Sequence, residues 1–225
     1  MGAVGGVGAS TLAALLAASM AGRPGGTVLV DADQGHGGIE VLLGIEGQRG
    51  ARWPDLAGVR AAIDPGDLTG VLPLWRGVEV LSADRRPAVD PAAIRAMLDS
   101  LVAARAVVVV DLPARVLLGG SSAAPSGPET TAVVVTGQDV LGVCGALMIR
   151  EAVGRSGALL ALRRRRHPRV APAEAAAVLG MRPATVIPTD GRMADAVDAG
   201  LGPVVGAWSP LARAVNRLAR GLGDG

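Results

Sequence analysis

The sequence predicts an open α/β fold: a doubly wound, mostly parallel sheet flanked by helices. Three observations carry that expectation. Short β-branched runs alternate with Ala- and Leu-rich stretches, as in successive crossover units. A glycine-rich turn, Val4-Gly5-Gly6-Val7-Gly8-Ala9-Ser10-Thr11, runs directly into an apolar helical stretch, Leu12–Met20. Two of the apolar runs, Val28–Val30 and Val107–Val110, end on Asp, at the edge where open α/β sheets bind ligands. With 225 residues and 50% hydrophobic content the chain can bury one large core, and residues 1–225 are read as one domain.

Taken in chain order, helix is expected first at Ser10–Ala21, where the glycines stop and apolar residues continue. Strands are expected at Thr27–Val30, Val78–Leu81, Ala106–Val110, Thr131–Thr136, Gly157–Leu162 and Thr185–Ile187. Val107–Val110 lacks polar alternation, which predicts a central strand buried on both faces. Further helices are expected at Pro91–Ala104, Val140–Gly154, Pro172–Leu179, Arg192–Ala199 and Pro210–Leu222. Gly47–Pro73 and Gly119–Pro128 read as irregular, the second as a mobile loop. A phosphate-binding loop ordinarily leaves a central strand, and only Met1–Val4 precedes this one; the expectation is a stub strand or a natural chain that begins upstream.

Composition excludes several classes. Trp53, Trp75 and Trp208 are the only aromatic residues, so base-stacking platforms for single-stranded nucleic acid are absent and the three are expected to be packing anchors. The isoelectric point near 9.8 accompanies a net charge of only +2. With no Lys, no Tyr and one Cys, little titrates between the His and Arg ranges, so the high value does not imply a nucleic-acid partner. The lone Cys144 excludes an internal disulfide, fits a reducing, cytoplasmic compartment and is expected to be a small buried hydrophobe. No run approaches the roughly 18 apolar residues of a membrane span. The two His have no metal-ligand neighbours.

The chemistry-bearing residues converge on phosphate. Backbone N–H groups of a glycine loop at a helix N-terminus cradle phosphate oxygens, and Gly5, Gly6 and Gly8 allow the close approach. Such a loop carries Lys before its Ser or Thr. Here that place is Ala9, and all 22 basic residues are Arg, so the cradle lacks its usual cation. Ser10 offers a hydroxyl to Mg²⁺, and a strand-terminal carboxylate, Asp111, would order the metal through water.

These motifs resemble the deviant Walker A group of MinD, ParA and CpaE/TadZ ATPases. Gly5, Gly6, Gly8, Ser10 and Thr11 match that loop, while Val4 and Ala9 stand where it has lysines. Val30-Asp31-Ala32-Asp33 is similar to its first switch, which implies that Asp33 positions the attacking water. Asp111-Leu112-Pro113 is similar to its Walker B and second switch. Ile187-Pro188-Thr189-Asp190, followed by Asp195-Ala196, Gly200 and Pro203-Val204, resembles the segment that closes over adenine, which implies cofactor contacts at Pro188 and Asp190.

Within the group the chain is most similar to the CpaE-like, septum-site-determining branch. The marks are Gly8–Ala13, Gly37-Gly38-Ile39-Glu40-Val41-Leu42-Leu43-Gly44 and Arg52-Trp53-Pro54-Asp55-Leu56. Alanine at the loop lysine is usual there. The resemblance implies a cytoplasmic homodimeric localisation factor for septum or Flp-pilus and secretion machinery. ATP and Mg²⁺ would be bound weakly by Gly5 to Thr11, Val7 and Ala9 included, with hydrolysis weak or absent. Two other readings stay open: a working MinD-type ATPase with an arginine in place of the lysine, and a ParA-like DNA-segregation ATPase.

Two basic features have plainer readings. Arg163–Arg166 with His167 and Arg169 is read as a solvated loop and assigned no site. Pro210–Leu222 is amphipathic, with Leu211, Val215, Leu218 and Leu222 opposite Arg213, Arg217 and Arg220. It is read as a terminal helix docked on the sheet, the other reading being a helix that lies on the inner face of the plasma membrane.

Overall fold

Short apolar segments form the sheet layer: β1 (Thr27–Asp31), β2 (Leu74–Trp75), β3 (Val78–Leu81), β4 (Val107–Asp111), β5 (Ala132–Gly137), β6 (Ala158–Arg163) and β7 (Pro183–Ile187). Between them run α1 (Ala9–Met20), α2 (Ile39–Leu43), α3 (Trp53–Leu56), α4 (Pro91–Ala104), α5 (Ala114–Leu118), α6 (Val140–Val153), α7 (Pro172–Leu179), α8 (Gly191–Asp198) and α9 (Pro210–Gly221). The computed structural model describes residues 1–34, 38–56, 70–87, 89–120, 127, 129–154 and 158–222. Gly37 of the glycine pair, the centre of the Gly47–Pro73 stretch, most of the Gly119–Pro128 loop and Gly157 lie outside the described residues.

The strands form a four-stranded sheet, ordered β2-β3-β1-β4, and a three-stranded sheet, ordered β5-β6-β7. All pairings are parallel except β2 with β3. That pair is a two-residue hairpin in which Arg76 (φ 50°) and Gly77 (φ 79°) are both left-handed, the turn that matches strand twist. The stub expected before the glycine loop is present as one bridge: Ala3 N–H donates to Val135 C=O and Val135 N–H to Met1 C=O, each at 2.8 Å. β4 consequently has β1 on one side and no ladder partner among the described residues on the other. Val107–Val110 are therefore half-buried at a sheet edge, not the fully buried central strand that their composition predicts.

Strand alternation sends side chains to both faces. Val28, Val30 and Leu81 pack against Ile94, Met97, Leu98 and Leu101 of α4. Leu29, Val78 and Val80 face the opposite way, against Ala13, Ala14 and Ala17 of α1. The same helix uses Leu12, Leu15, Leu16 and Met20 to reach Val135 and Ala161 of the second sheet. α1 thus joins both sheets on one face. On the other face of the second sheet, α6 and α7 cover Val134, Leu160 and Leu162.

α9 buries Leu211, Ala214, Val215, Leu218 and Ala219 in the α1 core, so its apolar face is docked on the protein. Among the described residues no helix is long and apolar enough to cross a membrane. Two expectations fail. Cys144 is exposed, because α6 turns Val143, Ala146 and Ile149 inward and leaves Leu141, Cys144 and Met148 outside. Trp53 and Trp75 are buried, but Trp208 is 89% exposed and anchors nothing.

Candidate nucleotide site

The glycine loop leads into α1 through Gly8, the N-cap residue, at φ +90°, with Gly6 at φ +71°. These are left-handed conformations that a side chain would strain. No side chain caps α1 and its first turn holds no acidic residue of its own; the acid beside this positive helix end is Asp111, which reaches it through Ser10. A Cβ placed on Gly5 or Gly6 would meet nothing within 4 Å, so the loop is open to solvent above its backbone. Val7 and Ala9 direct their side chains to the α1 core, and only their backbone could face a ligand.

The carboxylates stand at the carboxyl ends of paired strands, since Asp31 and Asp111 are register partners on β1 and β4. Ser10 donates its hydroxyl to Asp111, which joins the expected metal residues. Burial pushes the Asp111 carboxyl above its ordinary value against that hydrogen bond. Asp31 is pushed up to about 6, chiefly by burial, although it accepts N–H bonds from Ile39 (2.8 Å) and Asp33 (2.9 Å). Among the described residues no cluster of three or more His, Cys, Asp or Glu could hold a metal. A cation beside Ser10 and Asp111 would depend on phosphate oxygens and water for its other ligands.

Asp33 is held by Arg115 of α5, with Nη1 donating to Oδ2 at 3.2 Å and Nη2 to Oδ1. Pro188 and Asp190 lie just beyond β7. Asp190 caps α8 by accepting from Arg192 N–H at 3.2 Å, and Thr189 donates its hydroxyl to Arg164 C=O at 3.1 Å. Among the described residues no hydrogen bond or ion pair joins Pro188 or Asp190 to the glycine loop.

Three contributors have contacts that the sequence did not assign to them. Asp31 anchors the start of α2 through Ile39, and Trp53 Nε1–H donates to Asp31 C=O at 2.7 Å, so the Arg52–Leu56 motif props the end of β1. Arg115 is the ion-pair partner of Asp33. Arg163 is the third: it ends β6 half-buried, not in a solvated loop, and a Cβ on Gly8 would lie 2.6 Å from its Nη1. Only Arg164, Arg165 and Arg166 of that run are exposed, Arg165 pairing with Asp139.

No family model matches the chain. Uncharacterized proteins from two strains of Mycobacterium tuberculosis are 39% identical to it over 116 residues, 51% of this chain and 32% of theirs. The matched stretch is thus about a third of the length of those curated relatives. Among solved structures, the MinC:MinD cell division complex of Aquifex aeolicus superposes with TM-score 0.80 at 20% identity, covering 100% of this chain and 94% of that one. A ParA family ATPase from Chlorobium tepidum gives 0.79 at 18% identity, covering 98% and 96%. The septum site-determining protein MinD of Pyrococcus horikoshii, complexed with Mg-ADP, gives 0.72 at 21% identity, covering 97% and 92%. At these identities the likeness is one of architecture, and the chain has the P-loop α/β fold of the MinD and ParA-family ATPases.

Proposed function

We propose that this chain is a nucleotide-binding localisation factor of the CpaE-like, septum-site-determining branch of the MinD/ParA group. In this reading it binds ATP–Mg²⁺ weakly and acts by recruiting septum or Flp-pilus and secretion proteins, as one domain that forms a homodimer. The observation that carries it is the hydrogen bond between Ser10 and Asp111 beside an open glycine loop with no lysine. The Mg-ADP in one MinD neighbour and the MinC partner in another support a nucleotide and a protein partner for this fold.

Gly5, Gly6, Val7, Gly8, Ala9 and Thr11 would donate backbone N–H groups to the phosphates, and Ser10 a direct oxygen to Mg²⁺. Asp111 would act on the metal through water, and Pro188 and Asp190 would flank the base. Bound Mg²⁺ would neutralise phosphate charge. Asp33 must leave Arg115 before it can orient a water, which with the missing lysine sets hydrolysis low. Losing a charge-assisted hydrogen bond weakens binding by about 1.5–3 kcal/mol, whereas losing a transition-state cation costs on the order of 10³–10⁵ in phosphoryl-transfer rate. Hydrolysis therefore fails before binding does. The expected result is no steady ATPase turnover above an Asp33→Ala control. Turnover near ~1 per second that vanishes in the control would overturn the non-hydrolytic part of this reading.

A further inference from the structure

Arg163 is the half-buried last residue of β6, and its Nη1 approaches the glycine loop at Gly8. Other arginines at this edge are committed: Arg115 to Asp33, Arg165 to Asp139, and Arg192 beside Asp190. The Arg163 guanidinium makes no hydrogen bond or ion pair with the described residues. A guanidinium stays protonated at any pH a protein survives. Here it stands at the N-terminus of α1, which itself carries partial positive charge and has neither a side-chain cap nor an acid in its first turn. Two positive ends converge on one open loop, and although Asp111 reaches Ser10, no acid among the described residues pairs with the Arg163 guanidinium, an arrangement that an anion relieves.

We propose that Arg163 supplies, from β6, the cation that the loop lacks at Ala9, and that it contacts phosphate oxygens of a nucleoside di- or triphosphate lying over Gly5–Gly8. The proposal rests on the reading of the loop as a nucleotide cradle. It assigns the phosphate contact to the end of a strand, whereas an ordinary P-loop carries it in the loop itself, immediately before the Ser or Thr. The planar fork of a guanidinium can hold two phosphate oxygens at once, so Arg serves this geometry as well as a lysine point charge.

The test is calorimetric titration of the full chain with ATP–Mg²⁺, ADP–Mg²⁺ and adenosine, for wild type, Arg163→Ala, Arg163→Gln and Arg163→Lys. Circular dichroism melts report folding, and Gln and Lys retain most of the stem should Ala unfold. The expected result is a loss of roughly tenfold to a hundredfold in ATP and ADP affinity for Ala and Gln, the range of one charge-assisted hydrogen bond. Lys should retain most of the affinity. Adenosine binding should not change, and the salt dependence of ATP binding should become shallower in Ala and Gln. If wild type binds ATP while Arg163→Ala and Arg163→Gln bind it equally or more tightly, the cradle stands and Arg163 is a packing residue or a stopper; the proposal is then overturned. If folded wild type binds neither ATP nor ADP, the cradle reading itself fails and the proposal with it.

Discussion

Asp31 and Asp111 are neighbours across one parallel step of the sheet, 2% and 7% exposed, and burial raises both carboxyl groups. For Asp31 the consequence has a definite sign. Its carboxyl ionises near 3.8 in the unfolded chain and near about 6 in the folded one. The folding penalty is therefore absent below the lower value, grows between the two, and is complete above the upper. Lowering the pH from 7.5 to 5.0 should stabilise the protein by about 1–1.5 kcal/mol at this residue, the rest of the gain lying below pH 5.0. Asp55, pulled down to about 2 by its hydrogen bond with Arg86, does not titrate in that window. Urea denaturation at the two pH values checks this, with the gain expected to shrink in Asp31→Asn; a wild type that loses stability at pH 5.0 would refute it. Ser10, Asp33 and Asp111 could be singled out as candidates because each sits at a fixed offset from a local signal, a glycine run or a strand end. Arg163 could not, because its approach to Gly8 depends on where β6 lies beside the loop, and a run of arginines carries no mark of which one turns inward.

At the level of elements, the terminal helix shows how packing decides between two roles that one amphipathic pattern permits. Ser209 caps α9 by accepting from Ala212 N–H at 3.0 Å, Pro210 follows as its first residue, and the apolar face then fills the core beside α1. Leu218 is fully buried, so Leu218→Ala should cost about 2–5 kcal/mol. Arg213→Gln and Arg217→Gln, on the exposed face, should stay within about 0.5 kcal/mol. Chemical denaturation of the three variants decides the matter; a Leu218→Ala protein of unchanged stability that no longer binds anionic vesicles would restore the membrane reading. The long elements were readable, and their ends moved by a residue or two. The short helices α2, α3 and α5 were not, since four or five residues span too little of a helical period to show a face. Tertiary partners set two of these: Ile39 N–H bonded to Asp31 for α2, and Trp53 bonded to Asp31 C=O at the start of α3. β2 has two residues, and its signal was the Arg76-Gly77 turn.

For the whole molecule, the resemblance implies two subunits meeting across their loops, with a signature lysine reaching the neighbouring site. Val4 holds that position and packs partly buried against its own core, so it cannot bridge to a nucleotide in a partner. Sedimentation should therefore show the same association state with and without ATP–Mg²⁺, and a dimer that forms only with nucleotide would overturn this. By itself the sequence determined the α/β class, the order of the long strands and helices, the glycine loop and the strand-end carboxylates, because all of these follow from local periodicity and backbone chemistry. Only the tertiary structure decided that the strands divide into two hydrogen-bonded sheets joined by α1. It alone made Val107–Val110 an edge, paired Asp33 with Arg115 and turned Arg163 toward Gly8. Each of these depends on segments tens of residues apart arriving side by side, and the burial and charge balance that result belong to the pair, not to either segment alone.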